Sequence, residues 1–176
     1  MASEPRLFPV DKLRSDISLV VRRPRLLGLL SSSDTIGLAR WFVALRLDPM
    51  HWSASGLEAA ITPTEFSEQA SEIRVSTDSW QRTGQGESDT GALPASLTVR
   101  SRIKWNGREK EVTFPLTIRR AENDSYRILG AIPLKASDFG VNEKDMKDEL
   151  ELRLDLTTQP ETQFAWSDRN AESSGD

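Results

Sequence analysis

The sequence predicts an all-β protein: one antiparallel system of short strands, closed as a barrel or folded as a sandwich. Three observations carry this. Residues 96–105 and 108–118 alternate in polarity and are joined by Asn106-Gly107. Residues 150–156 set Leu150, Leu152, Leu154 and Leu156 against Glu151, Arg153 and Asp155, a half-buried strand. Residues 38–48 put Trp41, Val43, Leu45 and Leu47 on one face, with Arg40, Phe42, Ala44 and Arg46 on the other.

The hairpin can be read to the residue. Asn-Gly suits a type I′ turn, because both central residues need positive φ. A two-residue loop leaves no slack, so Trp105 faces Arg108, Val99 faces Phe114 and Leu97 faces Leu116. Ser101 then faces Val112. On the other side Arg102 faces Glu111 and Lys104 faces Glu109, which predicts cross-strand ion pairs on a wet face.

The remaining elements follow in order. A short strand is expected near Leu7 and Phe8. Ile17, Leu19 and Val21 alternate as a strand that Pro24 should end. The serine run in 29–35 reads as a loop. Leu57, Ala59 and Ile61 make another strand. Thr62-Pro63-Thr64-Glu65 has the form of a helix start, with Thr62 as N-cap and Pro63 in the first turn, and Phe66, Ala70 and Ile73 at helical spacing. A strand returns at 73–80, and 82–91 is a glycine-rich loop. Tyr126, Ile128, Gly130 and Ile132 share one strand face. Residues 142–149 suggest one helical turn. The polar segment 159–176 is expected to be a disordered tail to a barrel domain of residues 1–158.

Composition excludes several function classes. At 176 residues, 37% hydrophobic and 28% charged, the chain can bury a real core and has no apolar run near the roughly 20 residues of a membrane span. A net charge of −4 argues against nucleic acid as a partner. The absence of cysteine removes disulfides, thiol catalysis and thiolate metal sites. His51 is the only histidine and sits in a loop-like stretch, so no metal ligand set is expected. There is no Gly-x-Ser-x-Gly elbow for a Ser-His-Asp triad. The first residues lack the apolar centre of a signal peptide, which points to the cytoplasm or to a chain that begins at a mature end.

Residues 95–156 resemble the YceI-like family. The resemblance lies in Leu97-Thr-Val99, in the strand Lys110-Glu-Val-Thr-Phe-Pro115 after a turn ending in glycine, in Ser137-Asp138-Phe139-Gly140-Val141, and in the final strand 148–156. Order and spacing both match. The N-terminal half matches by order of elements, through Phe8-Pro-Val-Asp11 and 17–21. It departs at Ser31-Ser-Ser-Asp34, where many members carry histidine. The resemblance implies a lipocalin-like antiparallel barrel of about eight strands with one short helix. It implies a long isoprenoid-like lipid, polyprenyl or quinone, as ligand, no other cofactor, no catalysis, and a periplasmic setting.

The expected ligand-binding residues are those of the inward faces: Leu19, Val21, Trp41, Val43, Leu45, Leu97, Val99, Phe114, Leu116, Ile128, Leu152 and Leu154. The bland alternative is that they pack on one another, since fold does not give function. Ser101 opposite Val112 is a thin spot that leaves room. Ser137-Asp138-Phe139-Gly140 reads as a structural turn rather than a site. Arg22-Arg23-Pro24-Arg25 reads as a solvated loop with a second reading as a headgroup contact. Two other function classes stay open: an enzyme acting on an apolar substrate in the same cavity, and a filled barrel that binds a protein. A homodimer also stays open.

Overall fold

Asn106 and Gly107 both have positive φ (54° and 74°), as a type I′ turn requires, and the strands they join pair in the register that the turn dictates. The computed structural model describes residues 4–25, 30–64, 66, 72–83, 92–141 and 148–160. Ten strands form one antiparallel sheet. They are β1 (Arg6–Phe8), β2 (Asp16–Arg25), β3 (Leu30–Ile36), β4 (Leu38–Leu47), β5 (Gly56–Pro63), β6 (Ile73–Arg82), β7 (Ala95–Trp105), β8 (Arg108–Arg120), β9 (Tyr126–Lys135) and β10 (Glu149–Thr157). The order is β1-β4-β5-β6-β7-β8-β9-β10-β2-β3.

That order closes on itself. The two edge strands, β1 and β3, are the chain neighbours of β2 and β4. The ladders give the reason. Arg6 pairs with Leu47, and Leu19 pairs with Ile36, so β1 and β2 run back along β4 and β3 in nearly one register. β2 also pairs with β10, from Asp16–Asp155 to Val21–Leu150. The ten strands therefore correct the expected eight. Two long strands are each interrupted, one by the segment 9–15 and one at Gly37.

Other expectations on this side also fail. The serine run is strand β3, with Ser31, Ser32 and Ser33 opposite Pro24, Arg23 and Arg22. Pairing with β2 outweighs the turn-like composition. Pro24 does not end β2. It lies beyond Val21, where the β10 ladder stops, so its missing N–H can face an unpaired edge. Thr62 and Pro63 end β5 rather than start a helix. Ile73, expected at helical spacing, instead begins β6 opposite Ile61. Residues 65 and 67–71 of that expected helix, the glycine-rich loop 84–91, the turn at 142–147 and the tail from 161 lie outside the described residues. The helical segments among the described residues are two 3-10 turns, Trp52–Ala54 and Ala136–Phe139.

β6 carries a bulge at Asp78, where the pairing with β7 shifts between Thr77 and Ser79. The extra residue reverses the alternation, so Ile73, Val75 and then Trp80 all point inward. Thr77 Oγ1 accepts from Trp80 Nε1 at 3.0 Å and from the Leu57 amide at 2.9 Å, which holds the bulge. Asp78 takes Arg102 at 2.9 Å, and Glu109 lies 3.7 Å from the same guanidinium. The expected Arg102–Glu111 pair is thus replaced, because the bulge brings a carboxylate closer from the other neighbouring strand.

The Asn-Gly turn is also tied to the far end of the chain, since Asn106 Nδ2 donates to the Phe139 carbonyl at 2.9 Å. Asn106→Ala should lower stability by about 1–2 kcal/mol, from the positive φ and the lost hydrogen bond together. Asn106→Gly keeps the turn and loses only the bond, so it should cost less. Denaturant melts of the two variants check this.

Candidate functional site

The inner face of the closed sheet carries one continuous cluster of buried apolar residues. On β7 the residues Ala95, Leu97, Val99, Ser101, Ile103 and Trp105 are all buried, and the alternate residues are not. The same alternation holds on β8 through Phe114, Leu116 and Ile118, and on β10 through Leu150 to Leu156. Strands packed on one side and wet on the other give this pattern. Along β7 the lining runs about 34 Å, or ~25 Å along the axis of a barrel whose strands tilt ~40°.

Each end is stoppered by aromatic rings. At one end Tyr126 meets Phe8 edge-on at 5.8 Å and Trp52 at 5.3 Å. Trp52 is held there by its 3-10 turn. Asp48 Oδ1 accepts the Met50 and His51 amides at 3.0 and 3.2 Å, and the Asp48 amide donates to Ser55 Oγ at 3.0 Å. The buried Asp48 carboxylate and the His51 loop therefore have a structural role. At the other end Trp105 meets Phe66 at 5.3 Å and Phe139 at 5.5 Å. Phe139 is buried by the turn read from Ser137-Asp138-Phe139-Gly140. Gly140 supplies φ 68° and its amide donates to the Ser137 carbonyl at 3.1 Å.

Between the ends the lining offers contact and little else. Ser101 Oγ donates to the Val112 carbonyl at 2.7 Å, so the thin spot in the hairpin is already satisfied. Small residues at Ala59, Ala95 and Gly130 leave the wall low. At Gly130 a Cβ would stand 3.1 Å from Leu116 Cδ1 and 3.6 Å from Phe114 Cε2, so both side chains lean over the glycine. Among the described residues the buried polar groups are Asp48, Ser55, Ser101, Ser125, Thr157 and Thr158. All but Ser101 lie at the Trp52 end. Trp52 Nε1–H is buried without a hydrogen-bond partner.

The carboxylates with displaced pKa values lie outside. Asp148 is held below the ordinary range by the Ser137 hydroxyl at 2.6 Å, with help from the Ser137 amide and Lys135. Asp155 is held down by a two-point pair with Arg127, at 2.7 and 2.9 Å. Among the described residues no three His, Cys, Asp or Glu side chains gather as a metal site.

All twelve expected ligand residues reach the inner face. Ten are buried in the core, and Trp41 and Val43 pack against it half-buried. Leu19, Val21, Leu45, Val99, Ile128 and Leu152 expose no surface at all, so no gap beside them is as large as a water molecule. The lining is packed. Sequence reasoning missed Phe8, Trp52, Trp80, Trp105, Tyr126 and Phe139. Trp80 was hidden by the bulge, and Phe8, Trp52 and Phe139 sit at a strand end or in turns, where a two-residue period has nothing to say; Trp105 and Tyr126 share the period of Leu97 and Val99 and of Ile128, and were legible from it.

No protein-family model and no curated protein sequence matches the chain. Solved structures do. BcnA of Burkholderia cenocepacia matches with a TM-score of 0.63 at 14% identity, over 85% of this chain and 99% of that one. A polyisoprenoid-binding domain from Saccharophagus degradans, implicated in plant cell wall breakdown, matches with a TM-score of 0.56 at 9% identity, over 88% of this chain and 99% of its own. The fold is YceI-like.

At such identities the likeness is one of fold. The YceI-like fold accounts for the order of elements read in 95–156, including the Ser137–Gly140 turn that stoppers one end. Asp148 fastens that turn to β10, and the sign of its pH dependence follows. Its pKa is lowered on folding, so its contribution is present above the unfolded pKa and lost as pH falls through the folded one. Ser137→Ala should raise the Asp148 pKa toward its ordinary value. The stability difference from wild type should be full at neutral pH and vanish in acid. Carboxyl NMR titration and melts at both pH values check this.

Proposed function

We propose that the barrel binds a long apolar lipid of the isoprenoid class, a polyprenyl or quinone type, in its interior, and stores or carries it without changing it chemically. The observation that carries the reading is the inner face itself. Among the described residues it is apolar from one aromatic stopper to the other, and Ser101, the buried polar side chain in between, already has a partner. Each 100 Å² of ligand hydrocarbon moved out of water contributes about 2.5 kcal/mol, without any hydrogen bond. The matched Saccharophagus domain, described as polyisoprenoid-binding, is consistent with it. The packed lining means that a ligand is admitted only by parting side chains of the wall. No metal or organic cofactor is needed for this.

The unpartnered Trp52 Nε1–H supplies a donor for a polar ligand end. A buried donor left unsatisfied costs about 1–3 kcal/mol, which an acceptor such as a quinone carbonyl would recover. Trp52→Phe should therefore weaken quinone binding by about tenfold and leave a pure polyprene unaffected, as read by fluorescence titration. Among the described residues the lining between the stoppers holds no ionisable side chain, which weighs against an enzyme.

A second reading is favoured by one observation. Side chains with no exposed surface also suit a filled barrel that serves as a protein-binding module. Organic extraction of the purified protein followed by mass spectrometry separates the two. The lipid reading expects a stoichiometric polyisoprenoid or quinone. Gly130→Leu should abolish its retention at a packing cost of about 1–3 kcal/mol. A lipid-free barrel that takes up neither compound would leave the filled module standing.

A further inference from the structure

The barrel wall is incomplete where it closes. The β1–β4 ladder ends at Phe8–Leu45, and the β2–β3 ladder ends at Leu19–Ile36. Between them the segment 9–15 passes β4 as a strap. It leans on β10, where Val10 bridges Thr158 and the Asp11 amide donates to the Thr157 carbonyl at 2.8 Å. It reaches β4 through Lys12, whose Nζ donates to the Trp41 carbonyl at 2.8 Å and lies 4.6 Å from the Trp41 ring centre.

A groove of about 290 Å³ lies under this strap. Both faces of β4 line it: inward Leu45 with core Phe8, and outward Phe42 with Leu7. It therefore leads from the core to the surface. Around its mouth stand large apolar residues that a soluble barrel has no use for. Leu7 is 56% exposed, Phe42 62%, and Leu13 99%. Leu13 is at the tip of a turn, between Lys12 and Arg14, and the Asp11 carboxylate is folded back onto the Leu13 amide at 3.1 Å. Arg46 stands opposite Leu7, and Arg40 lies on the Phe42 face. Glu58, opposite Ala44, and Asp11 on the strap are nearby counter-charges to these four cations. A chain with net charge −4 thus gathers cations around an exposed apolar cluster. Apolar anchors ringed by Lys and Arg complement the hydrocarbon and the anionic headgroups of a membrane surface.

We propose that this face docks on an anionic phospholipid bilayer, with the strap groove as the doorway between bilayer and barrel. The doorway rests on the lipid-binding reading, whereas the docking does not. Vesicle flotation of the full chain tests it, with phosphatidylcholine alone and with added phosphatidylglycerol. The chain should float with the anionic vesicles, and salt should release it. Lys12→Glu should weaken binding by about tenfold, as should the pair Leu13→Glu and Phe42→Glu. All three side chains reach the surface, and a melt confirms the fold of each variant. Equal, weak binding to both vesicles would overturn the docking. So would variants that bind like wild type, or a dimer in sedimentation that Leu13→Glu dissolves, which would make the patch a self-interface. A chain that floats but never holds a lipid would keep the docking and overturn the carrier reading. A Gly130→Leu variant that floats without lipid would support both.

Discussion

Everything in this fold depends on closing the sheet with a first strand too irregular to serve as one strand. An open sheet would leave two rows of unpaired backbone groups at its edges. The chain avoids this by splitting the task. β2 joins β10 to β3, and β1 covers the far end of β4. The segment between them is drawn across to the end of β10. The cost is a stretch of β4 whose strand partner among the described residues is β5 alone, with the Lys12 amine on the Trp41 carbonyl at its other edge. That one compromise produces the strap, the groove beneath it and the half-buried state of Trp41 and Val43.

The closed ring then sets what the interior can be. Residues from every long strand converge on one axis, and the two aromatic stoppers limit it at both ends. Trp52 and Phe139 are brought to those ends by turns, fastened by Asp48 at one end and by Asp148 and Asn106 at the other. Asp48 and Asp148 work as structural acceptors, and Asp78 and Asp155 form ion pairs on the outside. What remains inside, among the described residues, is a hydrocarbon surface with Ser101 already bonded to the Val112 carbonyl and the Trp52 N–H at one end.

Much of this was legible in the sequence, and the physical reason is register. The Asn-Gly turn has no slack, so one dipeptide placed eleven pairs of residues, and with them Leu97, Val99, Phe114 and Leu116 of the lining. The alternating leucines of β10 were equally plain. What was hidden depends on distant partners. β3 is strand because β2 lies beside it, although Ser31–Ser33 alone reads as a loop. Pro24 is tolerated only because the β10 ladder has already ended. The bulge at Asp78 shifts the period by one, which put Trp80 inside and took Arg102 away from Glu111. The closure gap has no local signal, since nothing in residues 9–15 announces that β4 will be left unpaired beside them.

The central claim is that an apolar ligand lies inside this ring rather than on it. Methyl NMR of the protein titrated with a short-chain quinone tests it most directly, through intermolecular contacts between ligand protons and assigned methyl groups. The expected result is contacts to Leu19, Leu97, Val99, Leu116 and Leu152, from opposite walls of the barrel. Contacts confined to Leu7 and Leu13, with the inner methyl groups unmoved, would contradict it.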